Sequence, residues 1–198
     1  MEIPDFFASL REYLRAYKRL EIRDASLTPS AVLIPLLARG NEFKELTIVF
    51  IRRSDDSRYH AGQIAFPGGR AEPFERNLIQ TAVREAREEI GLQLENIDIL
   101  GMLDDFVTLK SNFNITPVIA KINQREFKRQ QEEVADIFEV PVAHLLDAHN
   151  SGYRDWEHKG RVYRVKEYYY KKRLIWGATA RILEKLLSIF SQILGKLT

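Results

Sequence analysis

Three glutamates, Glu85, Glu88 and Glu89, lie within five consecutive positions of the chain. The apolar residues around them recur with the spacing of one helix face; they are Leu78, Ile79, Ala82, Val83, Ala86 and Ile90. At about 100° per residue, the glutamates lie at one border of that face, where neighbouring like charges destabilise a helix unless a cation offsets them. Clustered carboxylate oxygens suit hard divalent cations. The pattern therefore indicates a Mg²⁺ or Mn²⁺ site, and its alternative is a solvated acidic face partly neutralised by Arg84.

Glycines flank this predicted helix on both sides. Gly91 follows the last apolar position and is expected to end the helix, as a C-terminal glycine commonly does. Upstream, Phe66-Pro67-Gly68-Gly69 predicts a turn. Backbone carbonyls in such a turn can approach a ligand closely, because glycine has no side chain. Both features favour a ligand site over a solvated face.

The order Arg84-Glu85-x-x-Glu88-Glu89-x-Gly91, with a glycine upstream, resembles the signature box of Nudix hydrolases. These are Mg²⁺-dependent pyrophosphohydrolases that cleave nucleoside diphosphates linked to another group. Their usual box has Gly, five residues, Glu and then seven residues before Arg-Glu. Here five residues separate Gly69 from Glu75, but eight residues separate Glu75 from Arg84.

An upstream motif is similar to that of the coenzyme A pyrophosphatase branch of Nudix proteins. The longer spacing between Glu75 and Arg84 also resembles that branch. Its Arg-Ser/Ala, Arg, Gly and Phe-Pro-Gly-Gly elements are present as Arg53-Ser54, Arg58, Gly62 and the 66–69 segment. The aliphatic-aliphatic-Thr that usually precedes them is replaced by Val49-Phe50-Ile51. The resemblance implies hydrolysis of coenzyme A or acyl-coenzyme A to 3′,5′-ADP and (acyl-)4′-phosphopantetheine. The alternatives are a Nudix enzyme for ADP-ribose or another nucleoside diphosphate derivative, and a non-catalytic Nudix binding module.

The resemblance also implies roles for the residues of the box. Glu85, Glu88 and Glu89, together with the Gly69 carbonyl, are expected to hold the metal. Arg84 is expected to orient one of these glutamates; the alternative is a surface ion pair with Glu88, which contributes only a few tenths of a kcal/mol. Glu85 and Glu88 are also candidates for the general base.

A glutamate from a distant loop is a further candidate for the general base. In related enzymes such a residue can serve, and here it is Glu133 or its neighbour Glu132. Both follow the polar run Lys128-Arg129-Gln130-Gln131, whose alternative interpretation is a solvated loop.

Residues of the upstream motif are expected to contact the substrate. Arg53 and Arg58 carry planar guanidinium groups that suit phosphate oxygens, although Arg53 can equally be a surface charge at a strand end. His60 and Gln63 belong to the same motif, and the alternative for His60 is a loop histidine without a substrate contact.

Composition agrees with a small-molecule enzyme without proving it. A chain of 198 residues with 45% hydrophobic content can bury a sizeable core, and we expect one domain over residues 1–198. The formal charge of +2 gives no indication of nucleic-acid binding. The absence of cysteine excludes a disulfide framework, a thiolate nucleophile and a zinc-cysteine site. The start lacks the pattern of a signal peptide and no apolar stretch is long enough for a membrane span, so we expect a cytoplasmic protein without a membrane partner.

The remaining patterns and the resemblance predict a Nudix-type α/β/α sandwich with a mixed sheet and additional N- and C-terminal helices. We expect these terminal helices at about 5–20 and about 176–197, and a short helix within 140–146. Short aliphatic or aromatic runs predict strands at 32–37, 46–51, 97–103, 114–122, around Tyr153, and at 162–165 and 167–175. The apolar stripe of the last helix is expected to pack on the core, and its distal part, 190–197, leaves a homodimer contact as the alternative.

Overall fold

The computed structural model of the protein describes residues 1–55, 61–108, 111–158 and 160–195. The helices within these ranges are α1 (Ile3–Ala16), α2 (Leu78–Ile90), α3 (Val142–Leu146) and α4 (Gly177–Gly195). The strands within them are β1 (Thr28–Ala38), β2 (Leu46–Arg53), β3 (Ile64–Ala65), β4 (Gly68–Arg70), β5 (Ile97–Met102), β6 (Phe106–Val107), β7 (Phe113–Ile122), β8 (Val134–Pro141), β9 (Ser151–His158), β10 (Arg161–Tyr170) and β11 (Arg173–Ile175).

Eight of the described strands form one mixed sheet. Its main path runs β3-β2-β1-β7-β5, and β4, β6 and β8 pair with β1, β7 and β2. The central strands β1 and β7 are parallel, whereas the other pairs are antiparallel. The remaining strands form a smaller sheet in the order β11-β10-β9. The sheet is therefore mixed, as predicted.

Helices cover both faces of the large sheet, which confirms the predicted α/β/α sandwich. On one face, α2 packs Ala82, Ala86 and Ile90 against the strands. On the other face lie α1 and α4, where the rings of Phe6 and Phe190 meet edge to face at 5.0 Å. Because successive side chains of a strand point to opposite faces, the central strands contribute to both cores.

The N-terminal helix ends earlier than predicted. α1 stops at Ala16, so the predicted end at about residue 20 is wrong, and the Leu20 side chain is exposed. The backbone N–H of Leu20 donates to the Asp104 carboxylate at 2.8 Å, and that of Ile22 donates to Asp105 at 2.9 Å. These bonds offer the backbone partners outside the helix and so compete with its continuation.

The C-terminal helix buries its apolar stripe within the same chain. Phe190 is fully buried and Ile193 is 3% exposed, both in the cluster that contains α1. These side chains are therefore not available for the homodimer contact considered for 190–197, whose last residues lie outside the described part. Among the described residues, no helix is both long enough and apolar enough to cross a membrane.

The predicted strands differ from the structure at several places. The predicted strand 167–175 is interrupted by a turn in which Lys171 has a φ of 54°, so β10 and β11 are separate strands. Strand β8 was not predicted, because charged residues interrupt its apolar pattern. Two of them have ion-pair partners, since Asp136 contacts Arg173 at 2.6 Å and Glu139 contacts Arg39.

Candidate functional site

The helix that carries the glutamates ends as its sequence predicts. Gly91 adopts a φ of 66°, a left-handed conformation that favours glycine at this position. At the other end, the Asn77 side chain accepts a hydrogen bond from the Gln80 N–H at 3.1 Å, which satisfies one of the unpaired donors of the first turn. The two caps fix where α2 begins and ends, and the packing of Ala82, Ala86 and Ile90 on the sheet fixes the side on which each glutamate lies.

Gly68 and Gly69 lie in strand β4, so the predicted turn is wrong at these two positions. β4 pairs antiparallel with β1. A Cβ atom at Gly68 would lie 2.6 Å from Val32 Cα, and a Cβ atom at Gly69 would overlap with the Glu85 carboxylate. Glycine is therefore required by close packing of β4 against β1 and α2, and not by a turn conformation.

Glu89 is the most buried of the three glutamates, at 1% exposure. Its carboxylate accepts a hydrogen bond from the Gly68 N–H at 2.8 Å. Burial, with smaller contributions from the charges of Glu85 and Glu133, raises the pKa of Glu89 to about 8 against the opposing effects of Arg53 and the Gly68 N–H. A cation beside this carboxylate would favour its charged form.

Arg84 holds the other two glutamates in place. Its Nη1 lies 2.8 Å from a Glu85 oxygen and 2.9 Å from a Glu88 oxygen. Its Nη2 donates to the Arg70 carbonyl at 2.9 Å, and its Nε donates to Glu75 at 2.9 Å. Because the guanidinium group contacts β4 and three carboxylates at once, these contacts favour the orienting role over a surface ion pair alone.

Glu75 anchors Arg84, a role that the sequence did not assign to it. Its side chain is only 4% exposed, and it accepts hydrogen bonds from the Glu72 N–H and the Thr81 hydroxyl, both at 2.7 Å. Burial alone would raise the pKa of Glu75, but these hydrogen bonds and Arg84 outweigh it, so the pKa lies below its ordinary value. The carboxylate is therefore a stable anion to which Arg84 is fixed.

The donor chemistry of the site fits a divalent cation. Glu85 is half-buried, and burial raises its pKa against the lowering effect of Arg84. Glu85, Glu88, Glu89 and the neighbouring Gly69 carbonyl are all oxygen donors, as Mg²⁺ and Mn²⁺ prefer. As the described side chains stand, no three acidic or histidine groups converge closely enough to ligate a metal directly. Two of the glutamates bind Arg84 instead, and ligation would require their carboxylates to rotate away from it.

Glu133 approaches the glutamates from the loop before β8. The Ser54 N–H donates to its carbonyl at 2.8 Å, and its own N–H donates to the Gln130 side chain at 2.7 Å. The charge of Glu133 contributes to the raised pKa values of both Glu85 and Glu89. The loop backbone is thus fixed, with an exposed carboxylate beside the α2 cluster.

One pocket of about 800 Å³ brings most of the predicted site residues together. Its walls include Arg53, Gln63, Gly69, Arg84, Glu85, Glu88, Glu89 and Glu133. The volume lies in the range of about 300–1,000 Å³ that is typical of small-molecule sites. The predicted residues Arg58 and His60 lie outside the described part of the chain, so their substrate contacts stay predictions.

Comparisons with known proteins agree with this geometry. The sequence model of the NUDIX domain matches residues 27–160. An "Uncharacterized Nudix hydrolase NudL" from Pectobacterium atrosepticum is 38% identical over 158 residues, which cover 79% of this chain and 80% of that protein. This chain belongs to the Nudix hydrolase family. A protein with the same name from Yersinia enterocolitica is 35% identical over 183 residues, covering 90% of this chain and 91% of that protein.

The fold comparison extends beyond the Nudix domain itself. A MutT/nudix family protein from Enterococcus faecalis matches with a TM-score of 0.55 at 14% identity, covering 95% of this chain and 74% of that chain. This likeness shows that the fold is that of a Nudix protein. The family shows that the chain is a Nudix hydrolase that acts on a pyrophosphate substrate. Nudix hydrolases generally use divalent metal ions, which agrees with the oxygen donors of the site.

One wall of this Nudix pocket is formed by residues outside the box, and the sequence did not predict it. Trp156 and Val165 reach it from β9 and β10, and Trp176 and Arg181 reach it from the start of α4. Both tryptophans of the chain therefore line the pocket. These positions are remote in sequence from the box, and the aromatic character of the strands predicted there was the only available signal.

Proposed function

We propose that this Nudix hydrolase cleaves the diphosphate of coenzyme A or its thioesters, releasing 3′,5′-ADP and (acyl-)4′-phosphopantetheine. The observation that carries the proposal is the single pocket in which Arg53, Gln63 and Gly69 of the upstream motif lie beside the glutamates of α2. Residues that match one motif and also line one cavity with acidic groups support a shared role in substrate binding.

The proposed metal ligands are the carboxylates of Glu85, Glu88 and Glu89 and the carbonyl oxygen of Gly69. A divalent cation there, Mg²⁺ or Mn²⁺, would neutralise diphosphate oxygens and acidify the attacking water. The raised pKa of Glu89 supports this assignment, because a nearby cation would offset the cost of burying its charge. Arg84 pairs with Glu85 and Glu88 in the absence of the cation, so cation binding would replace these ion pairs with metal bonds.

Glu133 is our proposal for the general base, with Glu85 and Glu88 as the alternatives. Glu85 and Glu88 both pair with Arg84, so their carboxylate oxygens are already engaged by its guanidinium group. Among the described residues, Glu133 has no cation within ion-pair distance, although its charge acts on two glutamates of the cluster. It is therefore placed to accept a proton from a water molecule at the substrate.

The rest of the substrate would lie along the two remaining walls. Arg53 donates to the Gly68 carbonyl at 3.1 Å, and this bond holds its guanidinium group at the pocket, where it can bind the diphosphate. Gln63 lies in the same wall. The apolar wall with Trp156 and Trp176 suits the pantetheine arm, which carries few charges.

A kinetic comparison of substrates tests the proposal. We expect coenzyme A or an acyl-coenzyme A to give a higher kcat/KM than ADP-ribose and dinucleoside polyphosphates, with Mg²⁺ or Mn²⁺ present. A higher value for ADP-ribose would support the alternative Nudix substrate. No cleavage of any diphosphate with either metal would support the non-catalytic binding module. A cytoplasmic location stays an expectation from the sequence, and cell fractionation tests it.

A further inference from the structure

Two arginines of the pocket, Arg70 and Arg181, have neither a carboxylate nor a carbonyl partner among the described residues. Arg84 is held by three glutamates and Arg53 by the Gly68 carbonyl. Arg70 and Arg181 also line the pocket, yet no acidic side chain among the described residues lies within ion-pair distance of either. Both are exposed and contact aromatic rings instead. A guanidinium group without a carboxylate is available to a ligand anion.

The two guanidinium groups lie against one hairpin. Arg70 lies over the ring of Phe113 at 5.0 Å, and Arg181 lies over the ring of Phe106 at 5.6 Å. Strands β6 and β7 pair with Phe106 opposite Ile115, so Phe113 is the diagonal neighbour of Phe106 on the same face. Arg70 and Arg181 are thus held on the same side of the hairpin.

Two guanidinium groups over neighbouring rings of one hairpin, in one pocket, favour an anion between them. Each would bind a phosphate oxygen through a charge-assisted hydrogen bond of about 2.7–2.9 Å. The turn of the hairpin adds hydroxyl groups, because Thr108 and Ser111 also line the pocket and their oxygens lie 2.9 Å apart.

The N-terminus of α4 lines the same pocket through Gly177, Ala178 and Thr179. The helix is 19 residues long, and the positive end of its dipole favours an anion near these residues. This contribution adds to the two arginines and does not stand alone. Arg70 directly follows Gly69, which is a proposed metal ligand. The region formed by Arg70, Arg181 and the N-terminus of α4 therefore adjoins the proposed metal site.

We propose that Arg70 and Arg181 bind a phosphate monoester group of the substrate that is separate from the diphosphate being cleaved. This assignment rests on the proposed function, in which that group is the 3′-phosphate of coenzyme A. A phosphate monoester carries about −1.5 to −2 charges at pH 7, which two guanidinium groups match. The two arginines then make the enzyme selective for substrates that carry this phosphate.

The test compares coenzyme A with dephospho-coenzyme A in the wild type and in Arg70→Gln, Arg181→Gln and the double variant. Arg15→Gln is the matched control, because Arg15 is exposed on α1 and does not line the pocket. We expect the wild type to prefer coenzyme A in kcat/KM by about ten- to a hundredfold, the effect of one charge-assisted hydrogen bond. Each pocket variant should reduce this ratio, and the double variant should bring it close to one.

An unchanged ratio in the double variant would overturn the assignment while leaving the proposed function intact. If kcat/KM falls equally for both substrates, the arginines bind the diphosphate itself, and if it falls for neither substrate, they bind no part of it. The ratio in Arg15→Gln must stay unchanged for this comparison to count.

Failure of the proposed function would be recognised separately, as no cleavage of coenzyme A by the wild type. In that case, nucleotide binding in the presence of EDTA tests whether Arg70 and Arg181 form a phosphate site. Quenching of Trp156 and Trp176 fluorescence measures that binding. Tighter binding of 3′,5′-ADP than of 5′-AMP by the wild type, lost in the double variant, would support the phosphate site. Equal binding of the two nucleotides by the wild type would overturn it.

Discussion

The Glu89→Gln variant distinguishes two effects of the buried carboxylate: its burial lowers stability at high pH, and its charge is needed for activity. Glutamine has nearly the same shape, and its side-chain oxygen can still accept the hydrogen bond that the Gly68 N–H donates to Glu89 at 2.8 Å. The substitution therefore removes the charge and the titration while the packing changes little. We expect the variant to lose activity by orders of magnitude but to be more stable than the wild type at alkaline pH without metal.

The size of the stability effect follows from the pKa of Glu89. Burial raises it from 4.5 to about 8 in the folded protein. Between these values the unfolded chain releases a proton that the folded protein keeps, so the free energy of unfolding falls as the pH rises. Since each unit is worth about 1.4 kcal/mol, we expect the metal-free wild type to lose on the order of 3 kcal/mol relative to the variant between pH 5 and pH 8.5.

Thermal unfolding in EDTA at these two pH values measures the effect. For a chain of this length, 3 kcal/mol corresponds to roughly 10 °C in Tm. Glu88→Gln is the matched control on the same helix, because the Glu88 side chain is 58% exposed and its charge stays in contact with water. Adding Mg²⁺ at pH 8.5 should stabilise the wild type more than Glu89→Gln, since binding to the folded state alone raises stability.

A pH-independent difference between Glu89→Gln and the wild type would refute this reasoning, because it would mean that the buried carboxylate is not protonated in the folded protein. Equal stabilisation of both proteins by Mg²⁺ would remove Glu89 from the proposed metal ligands.

Three further predictions concern residues around the glutamates. Glu133→Gln should lower kcat by about 10²–10⁴-fold with little change in KM if Glu133 is the general base; an unchanged kcat in steady-state assays would move that role into α2. In Gly69→Ala the new methyl group should displace the flexible Glu85 carboxylate, so we expect a loss of activity with little loss of stability. In Gly68→Ala the methyl group meets backbone atoms, so we expect the fold to be destabilised by about 1–3 kcal/mol. Urea titrations that show equal destabilisation by the two variants would contradict this contrast. Glu75→Gln should weaken the hold on Arg84 and lower kcat, and full activity would show that the anchor is dispensable.

Much of the helix and its surroundings could be predicted, because the signals are local. The apolar spacing of α2 gave its face, and Gly91 gave its end, since both depend on residues within a few turns of one another. The terminal helices were found from the same periodicity. The end of α1 was not, because it depends on Asp104 and Asp105, which are remote in sequence and bind the backbone at Leu20 and Ile22.

The pocket could be predicted only in part. Its acidic wall is encoded in one continuous segment, whereas Trp156 and Trp176 reach it through the smaller sheet and the start of α4. No spacing rule relates these positions to α2, because the chain path between them decides which side chains meet. The need for glycine at position 68 could not be predicted for the same reason, because it depends on contact with Val32 on another strand.

Product analysis of a single reaction tests the central claim most directly. Purified protein is incubated with coenzyme A and Mg²⁺, and the products are identified by mass spectrometry, with an EDTA-treated sample as the control. The account predicts equal amounts of 3′,5′-ADP and 4′-phosphopantetheine, formed only in the presence of the metal. Intact coenzyme A under these conditions, or cleavage at any bond other than the diphosphate, would contradict it.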